Sequence, residues 1–232
     1  MNPVHGGVLW LDLALALPAL AAALAVRPWR ALPAVAPAPW PWLAWCAVLP
    51  LPWSADRLGA NPLVPMLSGA CLLMLMAGWP LAVLALVPVA LLAALLADLA
   101  PAAALHRYVW LGLVPATLAL VLGAAIRRWL PRHLFVYILG RGFFATALAT
   151  ALAGFVALAL QALPEGTNRA DLLLARGLMA SGDAFIAGMI VAIFVALRPG
   201  WLATYADRLY LPAGLGTAHA PASAEGNGHE RR

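Results

Sequence analysis

Asp183 stands out first: a carboxylate inside an otherwise apolar stretch, SGDAFIAGMIVAIFVAL, from Ser181 to Leu197. A charge in hydrocarbon costs about 2.5–3.5 kcal/mol on insertion scales, so it faces a cavity or a partner instead of lipid. Asp12 lies in a second apolar stretch, Val8 to Val26, with His5, Asn2 and the amino group of Met1 close by in sequence. Carboxylate oxygens with an imidazole and an amine make a donor set that divalent first-row metals accept. We therefore take Met1, His5 and Asp183 as the candidate metal-binding residues. Asp12 is read as an acid that caps a helix or reaches the membrane interface, where acids cost little. Arg141, about seven residues into its own apolar stretch, is read as an anchor that snorkels to water.

No residue set for covalent catalysis accompanies these groups. The chain contains no Lys and so no P-loop, and it has neither an H-E-x-x-H nor a G-x-S-x-G motif. An enzyme is not expected, nor a permanently bound cofactor; any ATP-driven work needs another subunit. Cys46 and Cys71 lie far apart in apolar segments, without the spacing of a thiolate metal cluster.

The elements that must position these groups are membrane helices. Of 232 residues, 65% are apolar and 10% charged, leaving too little polar surface to coat a soluble globule. A net charge of +5 therefore bears on orientation in a bilayer and not on nucleic acid. At roughly 20 residues per span, we expect an all-α polytopic bundle of about seven: Val8 to Val26, Trp42 to Trp53, Leu63 to Ala77, Leu81 to Ala97, Tyr108 to Ile126, Leu134 to Leu163 and Leu172 to Leu197. The third and fourth also read as one helix broken at Gly78-Trp79-Pro80. Nothing basic precedes the first stretch, whereas Arg27 and Arg30 follow it, which argues for a retained helix and against a cleaved signal. With seven crossings, nine arginines fall on one side and four on the other, Arg141 aside. The excess marks the cytoplasmic side, placing the N-terminus outside and the C-terminus inside. Residues 1–212 form the membrane domain, and 213–232, rich in Gly, Ala, Ser, Glu and His, a disordered tail.

Two stripes of small residues recur at four-residue spacing: Gly142, Thr146, Thr150 and Gly154, then Ala180, Ala184, Gly188, Ala192 and Ala196. Such stripes let helix backbones approach closely in lipid.

Three segments carry a resemblance to a known family. They are MLSGACLLMLMAGWPLAVLAL (Met66 to Leu86), LPRHLFVYILGRGFFATALA (Leu130 to Ala149) and SGDAFIAGMIVAIFVALRPGWLATYADRLYL (Ser181 to Leu211). Together they resemble the CbiM-like family of membrane components of energy-coupling-factor (ECF) transporters, in its less characterised proteobacterial branch. The resemblance implies a seven-span protein of the bacterial cytoplasmic membrane that captures a divalent transition metal, cobalt or nickel, from outside as substrate. It also implies a transmembrane coupling subunit and cytoplasmic ATPase subunits as partners, besides membrane lipid. Better-known members bind metal through the N-terminal amine, a His at the second position and a His at the start of a later helix. Here Asn2 takes the second position, with His5 three residues on, and the later helix reads Pro65-Met66-Leu67-Ser68-Gly69. An assembly or scaffold protein with the same fold and no transport role is the alternative.

Overall fold

A computed structural model describes residues 3–30, 41–58, 67–131, 133–160 and 168–205, with side chains undescribed at 3–6 and 56–58. Within them every regular element is helical and no strand occurs. The helices are α1 (Pro3–Val26), α2 (Pro41–Val48), α3 (Pro50–Leu58), α4 (Ala70–Ala77), α5 (Trp79–Leu96), α6 (Pro101–Arg107), α7 (Val114–Trp129), α8 (Ala145–Leu160) and α9 (Arg169–Leu197). Wider π-type turns join α6 to α7 (Tyr108–Leu113) and lead into α8 (Val136–Phe144), so 101–129 and 136–160 are each one continuous rod.

Five of these rods are long and apolar enough to cross a membrane, which makes this a multi-pass membrane protein. Their outer faces carry Trp10, Leu95, Phe185 and Leu197, all strongly exposed in the isolated chain, as lipid-facing side chains are. The second and third expected spans take a different form. Trp42 to Trp53 falls across the short helices α2 and α3, and the third is represented by α4, only 8 residues long. At 1.5 Å per residue α4 extends about 12 Å, less than half of a hydrocarbon core of about 30 Å. Gly78, at φ 81°, separates α4 from α5, so the expected break is present there. The tail from 213, Leu63 to Met66, and the end of the sixth expected span after 160 lie outside the described residues.

A half-helix can sit at membrane depth only if its free N–H and C=O groups find partners inside the protein. Every residue of α4 except Ala77 is buried, and both its ends are served by distant segments. At the far end, Leu75 O accepts from Thr204 N (3.3 Å) and Thr204 Oγ1 (3.1 Å), while Met76 O accepts from Ala203 N (3.1 Å). These donors belong to the strap after α9, which doubles back beneath α4. Tyr137 Oη lies 2.9 Å from Thr204 Oγ1 and ties the strap to the rod containing α8.

The two small-residue stripes pack on each other in their central parts. A Cβ on Gly142 would lie 3.3 Å from Val191 and 3.4 Å from the Gly188 backbone, while one on Gly188 would touch Phe143. Thr146, Thr150, Ala180 and Ala184 are buried along the same seam; Ala196 is exposed and lies beyond it.

Candidate functional site

The other end of α4 is the polar centre of the molecule. Residues 67–69 run in extended or turned form into the helix, and Gly69 has φ 63°, a left-handed conformation open to glycine at little cost. Two successive amides converge on one carboxylate: Ser68 N donates to Asp183 Oδ2 (3.0 Å) and Gly69 N to Asp183 Oδ1 (3.1 Å). An anion held by consecutive backbone N–H groups at a helix N-terminus is favoured by those dipoles. The carbonyls are satisfied too. Trp53 Nε1 donates to Ser68 O and Trp45 Nε1 to Gly69 O, each at 2.9 Å. Ser68 Oγ donates to Leu111 O (2.6 Å), a carbonyl in the π-type turn between α6 and α7.

On the neighbouring residue of that turn, Trp110 Nε1 donates to Asp12 Oδ1 (2.9 Å), and His106 Nδ1 lies 2.9 Å from Asp12 Oδ2. Asp12 is only 1% exposed, so it neither caps a helix nor snorkels; it is the buried acceptor for two aromatic rings. His106 and Trp110 stand one turn apart and their rings lie 6.2 Å apart, which lets both address one carboxylate from α1. His106 is not among the candidate residues read from the sequence. The i,i+4 repeat of polar rings facing a lone acid was the signal that would have found it.

Both acids sit well inside their helices. α9 begins at Arg169, three residues before the expected span, and Asp183 lies fourteen residues along it, about 21 Å from its start. Asp12 is nine residues into α1, about 14 Å. One turn links them: adjacent residues Trp110 and Leu111 connect, through one bond each, to Asp12 and to the Ser68 that holds Asp183. Of the other candidate ligands, His5 has its backbone in the first turn of α1, and its side chain, like all of Met1, lies outside the described residues. No group of three His, Cys, Asp or Glu side chains arranged for a metal occurs among the described residues.

Arg141 also departs from its expected role. It is 7% exposed and does not snorkel; its Nη1 donates to Thr204 O (3.3 Å) and its guanidinium lies 5.5 Å from the Tyr137 ring centre.

The chain matches no family model, no curated protein and no solved structure.

The Asp12 cluster has a measurable weight. Asp12→Ala leaves the buried Trp110 N–H and the His106 ring without their acceptor, at an expected loss of about 1–3 kcal/mol. Asp12→Asn keeps an acceptor oxygen and loses less. Thermal unfolding of the purified protein in detergent reads both, and an alanine variant as stable as the parent would remove the cluster from the account of the fold.

Proposed function

We propose that this chain is the substrate-capturing membrane component of an ECF-type transporter, taking up a divalent transition metal of the cobalt or nickel kind. The observation that carries it is the meeting of Asp183 with Ser68 and Gly69. The sequence resemblance puts a metal-binding His of the family at the start of this helix, and here a buried acid from α9 reaches the same segment. Asp12 and His106 add a second carboxylate and an imidazole one hydrogen-bonded step away. In this reading the bundle lies in the inner membrane of a bacterium with its N-terminus outside, and Met1 and His5 close the site from above. The metal is cargo, and the coupling subunit and ATPases supply the energy.

The scaffold reading draws on one specific observation: each oxygen of Asp183 and of Asp12 already faces a protein donor. A carboxylate so occupied serves packing without any cargo.

Binding of nickel and cobalt to purified protein, with uptake by cells expressing it alongside candidate ATPases, separates the two. Transport predicts that His5→Ala lowers metal affinity at least about tenfold, the scale of losing one ligand-shell group, while thermal stability stays at the parent value. It also predicts recovery of an ATPase pair on co-purification. Unchanged metal binding in His5→Ala and Asp183→Asn, with an unrelated complex recovered instead, overturns it.

A further inference from the structure

The end of the bundle where α7 meets the π-type turn before α8 holds a buried positive charge that no carboxylate among the described residues neutralises. Arg141 has one hydrogen bond to a carbonyl and the face of Tyr137, no carboxylate within ion-pair distance among the described residues, and a buried Nε with no acceptor. Leaving a buried cation unpaired is among the costliest things a structure does. The cation is not there by accident of crowding, because the fold makes room for it: a Cβ on Gly123 would lie 2.8 Å from Arg141 Nε and 3.0 Å from Nη2. One turn beyond Gly123 on the same helix face stands Arg127, which is exposed. Arg127, Arg141 and Tyr137 line one crevice together with the apolar Ile126, Leu130 and Val136. Two arginines lining one opening, with apolar walls beside them, match a phosphate carried on an apolar body.

We propose that this crevice binds a phosphate group, with Arg127 and Arg141 as its charge-bearing contacts. Guanidinium groups engage phosphate through charge-assisted and often paired hydrogen bonds, which would offset the charge that Arg141 brings into the fold. Phosphate of this kind is available from an anionic lipid headgroup, such as phosphatidylglycerol, or from solution as inorganic phosphate. This site is independent of the acid cluster around Asp183, which lies at the other end of α4.

The test is lipid retention and thermal stability of the full chain in nanodiscs. Three conditions are compared: phosphatidylcholine alone, phosphatidylcholine with phosphatidylglycerol, and phosphatidylcholine with inorganic phosphate in solution. The expected result is a higher unfolding temperature with phosphatidylglycerol and phosphatidylglycerol retained in native mass spectra. Arg127→Gln should weaken that retention roughly ten- to a hundredfold, the range for losing a hydrogen bond to a charged group. Because Arg127 is exposed, this variant is expected to fold even if Arg141→Met does not. Arg128→Gln removes the same charge from the neighbouring residue outside the crevice and should leave retention unchanged. Protection by inorganic phosphate that Arg127→Gln abolishes, without phosphatidylglycerol retention, assigns the same site to a free anion. Equal behaviour of the Arg127 and Arg128 variants, or no stabilisation by either phosphate source, overturns the proposal.

Discussion

Asp183→Leu is expected to destabilise the protein by about 2–6 kcal/mol, since it strands two buried N–H groups at about 1–3 kcal/mol each. Leucine keeps the branched outline of the carboxylate but carries bulkier methyl groups, so no cavity opens, and the loss combines the stranded amides with some overpacking at a buried position. Among the described residues Ser68 N and Gly69 N have no second acceptor, and the carbonyls beside them are already taken: Ser68 O by Trp53 and Gly69 O by Trp45 and Leu73 N. Water is excluded as a substitute, with Ser68, Gly69 and Ala70 all buried. Asp183→Asn keeps one oxygen and presents an NH2 group toward the other amide, so it should fall between the parent and the leucine variant. Unfolding titrations in mixed detergent micelles give the free energies. A leucine variant that unfolds with the parent would mean that the carboxylate does not hold the 67–69 segment.

The position of Asp183 was legible in the sequence because a single acid within seventeen otherwise uncharged residues has few reasons to be there. Its partners were not. They are backbone amides, which every residue owns, and only the shortness of α4 turns two of them into orphans needing an acceptor. The same limit hid the true form of the third expected span. Hydropathy reads α4 correctly as buried, yet cannot distinguish burial in lipid from burial in protein, and α4 is buried in protein. Gly78 and Pro80 did announce its end, since a break in a helix is written in residue type. Arg141 was misread for a related reason. A snorkelling arginine and a buried one have the same sequence neighbourhood, and what separates them here is Gly123, eighteen residues earlier, whose missing side chain admits the guanidinium.

The two ends of α4 therefore depend on different parts of the chain. α9 supplies Asp183 to the N-terminal end, and the strap that follows α9 supplies Ala203 and Thr204 to the C-terminal end. One continuous segment, 183–204, thus clamps the half-helix from above and below. A shift of α9 along its axis would loosen one end while compressing the other, which makes the position of α4 a direct readout of α9.

Gly69→Ala is the substitution that strikes this clamp at its tightest point. Its φ of 63° is left-handed, which costs an L-residue about 1–2 kcal/mol. The new Cβ would also lie 2.4 Å from Leu49 Cδ2, with Trp45 Cζ2 at 3.1 Å on the other side. Leu49 is fully buried, so moving its methyl group aside disturbs the packing around it and adds about 1–3 kcal/mol. The expected total is about 2–5 kcal/mol. Leu49→Ala alone opens a cavity at about 2–5 kcal/mol. In the Gly69→Ala background, however, the same truncation makes the space that the methyl group needs. The double variant should accordingly be more stable than the sum of the two losses by at least about 1 kcal/mol, within the range seen for residues in contact. The backbone strain at position 69 stays in both, so rescue is partial. Strict additivity would mean that Leu49 does not press on the turn, and that the left-handed backbone alone makes glycine necessary there.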